Sequence, residues 1–117
     1  MRKIIHAKDY FGKDTSFIIV YETVCMNYTF AIGLDINKPN EFSFFEVCHY
    51  LKDNYYILDT GFLDVYKKYN YSIMESFEKK IKELITERLT KKYECGKMTL
   101  LEIEALAVIE EGKGRKK

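Results

Sequence analysis

The sequence is poor in the residues that mark specialised folds. It contains one proline, no tryptophan and three cysteines among 117 residues. An odd number of widely spaced cysteines argues against a secreted disulfide framework and against paired zinc ligands. No apolar run approaches the roughly 18 to 20 residues of a membrane span, and charge interrupts the N-terminus too early for a signal peptide. We therefore expect a cytoplasmic protein with reduced thiols, no membrane partner, no metal and no cofactor.

An excess of charge of one sign is also absent, since the formal net charge is +1. Proteins dedicated to nucleic acid usually carry a larger positive balance, because contacts to phosphates dominate their affinity. The apolar share of 47% and the charged share of 32% are ordinary for a soluble globular protein. The length predicts a single domain over residues 1–112, followed by a flexible basic tail over residues 113–117.

Catalytic motifs are scarce as well. The sequence has no glycine-rich phosphate loop, no His-Glu-x-x-His pair and no Gly-x-Ser-x-Gly elbow. Cys48 and His49 are adjacent, and neighbours on a helix point roughly 100° apart, so we expect Cys48 in the core and His49 at the surface. The acids Asp35, Asp59 and Asp64 at predicted element ends are interpreted as turn and cap residues. We predict no enzymatic activity, with a small metal- or Cys-dependent hydrolase as the last alternative.

The N-terminal third predicts an antiparallel meander. Residues 2–8 and 15–24 are rich in Ile, Val, Phe and Tyr, and the link at 11–14 is compatible with a turn. A third strand over residues 26–35 alternates large apolar residues with small or polar ones. The loop 35–40, which contains Pro39, should then lead the chain away from the sheet.

Capping patterns predict helices in the rest of the chain. Ser43 with Glu46 forms a capping box that predicts a helix ending near Asp53, with an apolar stripe and a staple from Phe42 to Val47. Residues 55–58 favour a short fourth strand, with coil as the alternative. A helix of about two turns is expected over residues 62–69.

The longest predicted helix runs over residues 73–93 and is capped by Ser72 with Glu75. Gly96 suits the left-handed residue that ends such a helix. Thr99 with Glu102 caps a final helix over residues 100–111, with a staple from Met98 to Ile103 and an end at Gly112; an alternating apolar pattern leaves a strand as the rival. The predicted fold class is α+β: a three-stranded antiparallel meander, with the short strand as a fourth, packed against three or four C-terminal helices.

Aromatic residues are concentrated in the middle of the chain, where residues 40–71 hold ten of the 18 Phe and Tyr side chains. The phenylalanines Phe42, Phe44, Phe45 and Phe62 are assigned to the core. Tyrosine is enriched at protein interfaces, and acidic neighbours repel nucleic acid, so the tyrosines predict a surface for a basic protein partner. The alternative places these tyrosines at the sheet–helix interface. The predicted binding residues are Tyr50, Asp53, Tyr55, Tyr56, Asp59, Asp64, Tyr66, Tyr69 and Tyr71.

The leading functional hypothesis is therefore a small non-catalytic binding module, which acts as an inhibitor, adaptor or regulator of a larger protein or nucleoprotein complex. The alternative is nucleic-acid binding through the basic helix and tail. Glutamates interleave with the lysines of that helix, which argues for an ordinary solvated face. The residues of this alternative are Lys79, Lys80, Lys82, Arg88, Lys91, Lys92, Lys97, Arg115, Lys116 and Lys117.

Overall fold

The computed structural model describes residues 3–96 and 99–114. Over these residues the chain forms five strands and then three helices: β1 (Lys3–Lys8), β2 (Asp14–Cys25), β3 (Tyr28–Asp35), β4 (Glu41–Cys48), β5 (Asn54–Phe62), α1 (Leu63–Lys68), α2 (Ile73–Glu94) and α3 (Leu100–Gly114). The strands form one antiparallel sheet in the order β1-β2-β3-β4-β5. The α+β class and the meander are confirmed, but the sheet is larger than the predicted three or four strands. The chain divides into two compact units, Met1–Phe77 and Glu78–Lys117.

Tight turns join the first three strands. Asp9 Oδ1 accepts hydrogen bonds from the backbone N–H groups of Phe11 and Lys13, both at 2.9 Å, which fixes the β1–β2 turn. Between β2 and β3, Met26 and Asn27 both have positive φ values, 53° and 68°. Two such residues form the hairpin turn whose twist matches that of the flanking strands. The third strand therefore begins at Tyr28 rather than at Met26.

The segment predicted as a helix from Ser43 is strand β4, so that prediction is wrong. Its side chains alternate between two faces of the sheet, and Phe42 and Phe44 on one face and Phe45 and Val47 on the other are all buried. A strand buried on both faces is apolar at consecutive positions, and such a run also satisfies helical spacing. Sequence periodicity therefore could not separate the two structures here.

Two further assignments in this region are corrected. Cys48, which we expected in the core, is exposed at the end of β4, whereas His49 is exposed as predicted. The predicted short strand over residues 55–58 is confirmed and extends to Asn54–Phe62. Phe62 at its end is 54% exposed, so its assignment to the core is wrong.

Within the first unit, one face of the sheet forms its own core. The cluster consists of Phe17, Ile19, Ala31, Phe45, Val47 and Tyr55. The rings of Phe17 and Phe45 pack edge to face with centroids 4.9 Å apart. Cα atoms of the two edge strands, β1 and β5, approach within 8 Å of each other, which shows that the sheet is curled.

The opposite face of the sheet packs against helical residues of the same unit. The ring centroid of Phe42 lies 5.0 Å from that of Tyr66 in α1, and Phe44 lies 5.0 Å from Phe77 in α2. Burying each of these phenylalanines contributes about 1.5 to 3 kcal/mol. The predicted packing of helices on the sheet is confirmed for α1 and for the start of α2.

The predicted cap of α2 is present, since Ser72 Oγ accepts a hydrogen bond from the N–H of Glu75 at 3.2 Å. In the second unit, Ile81, Ile85 and Leu89 are buried at a spacing of four residues, which is the spacing of the apolar stripe of an amphipathic helix. Gly96 has a φ of 66°, the left-handed conformation expected after this helix.

The last element is a helix, and the alternative of a strand is wrong. Thr99 and Glu102 cap it reciprocally: the Thr99 N–H donates to Glu102 Oε1 at 3.3 Å, and the Glu102 N–H donates to Thr99 Oγ1 at 3.3 Å. The helix does not end at Gly112 but continues to Gly114, so two residues of the predicted tail are helical. Met98 and residues 115–117 lie outside the described residues. No helix in the described ranges has the length and apolar character needed to cross a bilayer.

Candidate functional site

The most distinctive surface is a group of aromatic and aliphatic side chains on and after α1, which we name the aromatic ledge. It consists of Phe62, Val65, Tyr66, Tyr69 and Tyr71. Its backbone is fixed by the way α1 ends: Asn70 has a φ of 56°, and its N–H donates to the carbonyl of Lys67 at 3.3 Å. The N–H of Tyr71 donates to the carbonyl of Tyr66 at 2.8 Å. These two bonds define a Schellman motif with Asn70 as the left-handed residue.

The motif places the tyrosine rings against one another. Tyr71 meets Tyr66 edge to face at 5.8 Å and stacks on Tyr69 at 5.7 Å. Tyr66 in turn packs at 5.0 Å on Phe42, which is buried in the sheet. The ledge is therefore anchored to the core through a continuous chain of ring contacts, and these contacts preorganise its shape for binding.

The beginning of α1 is held from a different part of the chain. The Leu63 N–H donates to the backbone carbonyl of Asn40 at 2.8 Å, and the Asp64 N–H donates to Asn40 Oδ1 at 3.1 Å. These bonds satisfy two of the backbone donors that every helix leaves free at its N-terminus. A six-residue helix is short, and this support at both ends replaces the stability that its length does not supply.

The outer rings of the ledge remain accessible. Tyr69 and Tyr71 are 56% and 60% exposed. The charges on α1 are Asp64, Lys67 and Lys68, and Lys68 Nζ lies 5.4 Å from the ring centroid of Tyr69. Within the described residues, neither lysine ammonium has an ion-pair partner. The ledge is thus apolar with a basic margin.

The structure does not gather the other predicted binding residues around this ledge. Tyr50 and Tyr56 are exposed, but Tyr50 belongs to the β4–β5 loop and Tyr56 to the start of β5. Asp53 and Asp59 are exposed and six residues apart along an extended segment, which separates them by about 20 Å. The acids therefore do not form the single acidic patch on which the basic partner was inferred.

Tyr55 is only 8% exposed and belongs to the core cluster with Phe45, on the face of the sheet opposite to the one that packs against α1. Its hydroxyl donates to Glu22 Oε1 at 2.5 Å, and Lys3 Nζ lies 3.0 Å from the same oxygen. Burial raises the pKa of Tyr55, and the bond to Glu22 adds to this effect. Burial opposes the ionisation of Glu22, but hydrogen bonds from Tyr55 and Lys3 outweigh it and hold the Glu22 pKa below its ordinary value. The group is a closed polar network rather than a binding surface.

His49 does not activate Cys48. Its Nδ1 lies 2.7 Å from Asp53 Oδ1, and its Nε2 lies 3.0 Å from Thr29 Oγ1. This is the order of a hydroxyl–imidazole–carboxylate relay, but Thr29 is buried and does not present its hydroxyl to a substrate. The hydrogen bond from His49 lowers the pKa of Asp53. The arrangement ties the β4–β5 loop to β3.

The acids considered for a metal site have local partners. Asp35 is buried, and its Oδ1 accepts the N–H of Asn37 at 2.8 Å and the Thr15 hydroxyl at 3.5 Å, which matches its predicted role in a turn. Asp59 Oδ1 accepts the N–H of Thr60 at 2.9 Å. Across the described ranges, no group of three or more His, Cys, Asp or Glu side chains could hold a metal ion.

Part of the predicted basic surface is neutralised. Lys91 Nζ lies 3.1 Å from Glu87 Oε1, and Lys92 Nζ lies 2.7 Å from Glu102 Oε2. The hydrogen bond from Lys92 lowers the pKa of Glu102, so this carboxylate remains charged. Lys79 and Lys82 are exposed, whereas Lys97, Arg115, Lys116 and Lys117 lie outside the described residues.

A second candidate site has no signal in the sequence. An open cavity of about 630 Å³ is lined on one side by the β1–β2 hairpin and on the other by the beginning of β5. Its polar lining includes His6, Lys8, Asp14, Ser16, Lys52 and Asn54. Because these residues come from three separate segments, no local motif could have indicated the cavity.

Comparison with known proteins does not assign a function to either site. No protein-family model matches the chain, and no significant match was found among curated proteins or solved structures.

Proposed function

We propose that this chain is a small non-catalytic protein-binding module and that the aromatic ledge is its binding surface. The observation that carries the proposal is the stacked pair Tyr69 and Tyr71, which stays more than half exposed although it is anchored through Tyr66 to the core. Interface hot spots are typically rigid aromatic side chains that fill a pocket of the partner. Rigid rings also bind at a low cost in conformational entropy.

The chemistry of the ledge also suggests the chemistry of its partner. Three tyrosine rings with Phe62 and Val65 match an apolar pocket. The ammonium groups of Lys67 and Lys68, which have no ion-pair partner among the described residues, match carboxylates at its rim. This differs from the basic partner expected from the sequence, because the carboxylates that favoured a basic surface are spread along the chain. An inhibitor, adaptor or regulator would use such a surface to occupy a site on a larger protein.

The test compares capture by three forms of the protein. Affinity capture from the native cell, with nuclease present and absent, is read by mass spectrometry for the wild type, for Tyr69→Ala/Tyr71→Ala and for a control with two exposed tyrosines replaced elsewhere, Tyr10→Ala/Tyr93→Ala. A specific partner should be retained by the wild type and the control and lost by the ledge variant. Loss of a hot-spot aromatic side chain costs about 2 kcal/mol or more, so the measured affinity should fall by about 30-fold or more.

Charge reversal then tests the chemistry of the partner. Lys67→Glu/Lys68→Glu should slow association with an acidic rim and reduce its dependence on salt. Faster association would indicate the basic partner instead. Equal capture by the ledge variant and the wild type would refute the ledge as the binding surface, and capture that nuclease abolishes would favour the nucleic-acid alternative.

A further inference from the structure

We propose that the cavity between β1 and β5 binds a small molecule through a phosphate group. Its volume of about 630 Å³ lies within the range of ordinary ligand pockets, about 300 to 1,000 Å³. It uses none of the residues of the aromatic ledge and is a second, separate site.

The charges of the lining favour an anion. Asp14 is the single carboxylate among the described residues that line the cavity, and Lys8 Nζ neutralises it at 3.0 Å. Lys52 also lines the cavity, and its ammonium has no ion-pair partner within the described part of the chain. An ammonium group is a strong binder of phosphate oxygens because its hydrogen bonds are charge-assisted.

Further hydrogen-bonding side chains complete the polar lining. His6 Nδ1 and Ser16 Oγ share a hydrogen bond of 2.9 Å, which fixes the orientation of the imidazole ring at the cavity wall. The amide of Asn54 and the hydroxyl of Thr15 lie in the same lining. A phosphate group offers several acceptor oxygens, so it can satisfy Lys52 and more than one of these donors together.

The width of the gap distinguishes this ligand from an added peptide strand. Both β1 and β5 are edge strands, and edge strands commonly recruit a further strand. Neighbouring strands lie about 4.8 Å apart, so a strand inserted between β1 and β5 needs them about 9.6 Å apart. Cα atoms of β1 and β5 approach within 8 Å of each other, so an intervening strand cannot run the full length of the gap. The gap therefore fits a small molecule better than an extended peptide.

The experiment is an NMR titration of the full chain at constant ionic strength with three probes: inorganic phosphate, ribose 5-phosphate and ribose. We expect saturable shifts of the backbone amides near His6, Ser16, Lys52 and Asn54 with both phosphate probes and none with ribose. Lys52→Ala removes the ammonium group that we assign to the phosphate and should weaken binding by about tenfold or more. Asn54→Asp, which places a carboxylate in the cavity, should weaken it as well, whereas the control Lys79→Ala, at an exposed lysine outside the cavity lining, should bind like the wild type.

Four results would overturn the proposal. They are an absence of saturation at about 10 mM phosphate, equal shifts with ribose, shifts spread over lysines outside the cavity, and unchanged affinity in both Lys52→Ala and Asn54→Asp. Titration with an extended acidic peptide tests whether the cavity binds a peptide instead of a small molecule. If this peptide binds at these amides more tightly than ribose 5-phosphate, the proposal is also contradicted.

Discussion

The backbone N–H of Tyr71 donates to the carbonyl of Tyr66 at 2.8 Å, and the two rings meet edge to face at 5.8 Å. The pair thus joins the end of α1 to the side chain that packs on Phe42 in the sheet. A helix terminus is usually a place where the chain frays, but here it is locked by backbone bonds and ring contacts at once. This is why two exposed tyrosines can hold a fixed geometry.

The left-handed residue of this motif gives the first prediction. Asn70 has a φ of 56°, a conformation that costs a residue with a branched Cβ about 1 to 2 kcal/mol. Asn70→Val should lower the free energy of unfolding by about that amount, while Asn70→Gly should leave it unchanged or raise it slightly. Urea unfolding measures both. The control Asn37→Val, in a loop without positive φ, should change stability by less than about 0.5 kcal/mol. An equal loss of unfolding free energy in both valine variants would show that the positive φ of Asn70 is not the cause.

A close approach in the sheet gives the second prediction. A Cβ atom at Gly61 would lie 2.5 Å from Cζ of Phe42, the ring that supports the ledge. Gly61→Ala should therefore destabilise the protein by about 1 to 3 kcal/mol, as overpacking of a core does. In a Phe42→Leu background the same substitution should cost clearly less, because the ring atom it meets is gone. Identical costs in the two backgrounds, read from urea unfolding, would show that the ring is not the cause.

The network of Tyr55, Glu22 and Lys3 gives a dependence of stability on pH. The pKa of Glu22 is lower in the folded protein than its ordinary value, so its contribution is present above about pH 4.3 and is lost as the pH falls through the folded pKa. Wild type should exceed Glu22→Gln in unfolding free energy near pH 7 and lose this advantage below about pH 4. The side chain of Glu22 is 34% exposed, so the difference should not exceed about 1 kcal/mol. A constant difference between pH 3 and pH 7 would refute the network.

The loop contact between His49 and Asp53 is tested by titration. The hydrogen bond from His49 holds the pKa of the Asp53 carboxyl below its ordinary range. In His49→Gln the Asp53 pKa should rise toward the ordinary value of an exposed aspartate, as read from the carboxyl carbon shift in NMR. Asp9 is the internal control, because backbone N–H groups of Lys13 and Phe11 lower its pKa and do not change in the variant. An Asp53 pKa that does not move would show that His49 is not its partner in solution.

The parts of the fold that were predictable carry signals within a few residues of sequence. The pattern that predicted β3, the Ser72–Glu75 and Thr99–Glu102 caps and the glycine after α2 are all local, and the structure has each of these elements, although β3 is buried on both faces of the sheet. The Ser43-x-x-Glu46 pattern is also local, yet Ser43 is buried within β4. This segment is a strand because it is buried on both faces. Burial on both faces depends on the neighbouring strands and on α1, and the local sequence does not specify it.

The candidate sites likewise divide into residues that local sequence could predict and residues that depend on distant parts of the chain. Tyr69 and Tyr71 were predicted because tyrosines beyond the needs of a core tend to be exposed, but the same rule failed for Tyr55, whose hydroxyl found Glu22 33 residues away. The cavity was not predicted because His6, Ser16 and Lys52 come together only when the sheet curls. Long-range pairing of strands, rather than any residue type, determines both outcomes.

The most direct measurement of the central claim is site-specific photocrosslinking in the native cell. A photoreactive phenylalanine analogue placed at Tyr71 reports which molecule lies within reach of the ledge, and the same analogue at Tyr10 or Tyr93 serves as the control. We predict one protein crosslinked from position 71 and absent from positions 10 and 93, with the crosslink lost when Asn70→Val disrupts the end of α1. No crosslinked protein at position 71, or the same products from all three positions, would contradict the proposal that the aromatic ledge is the binding surface.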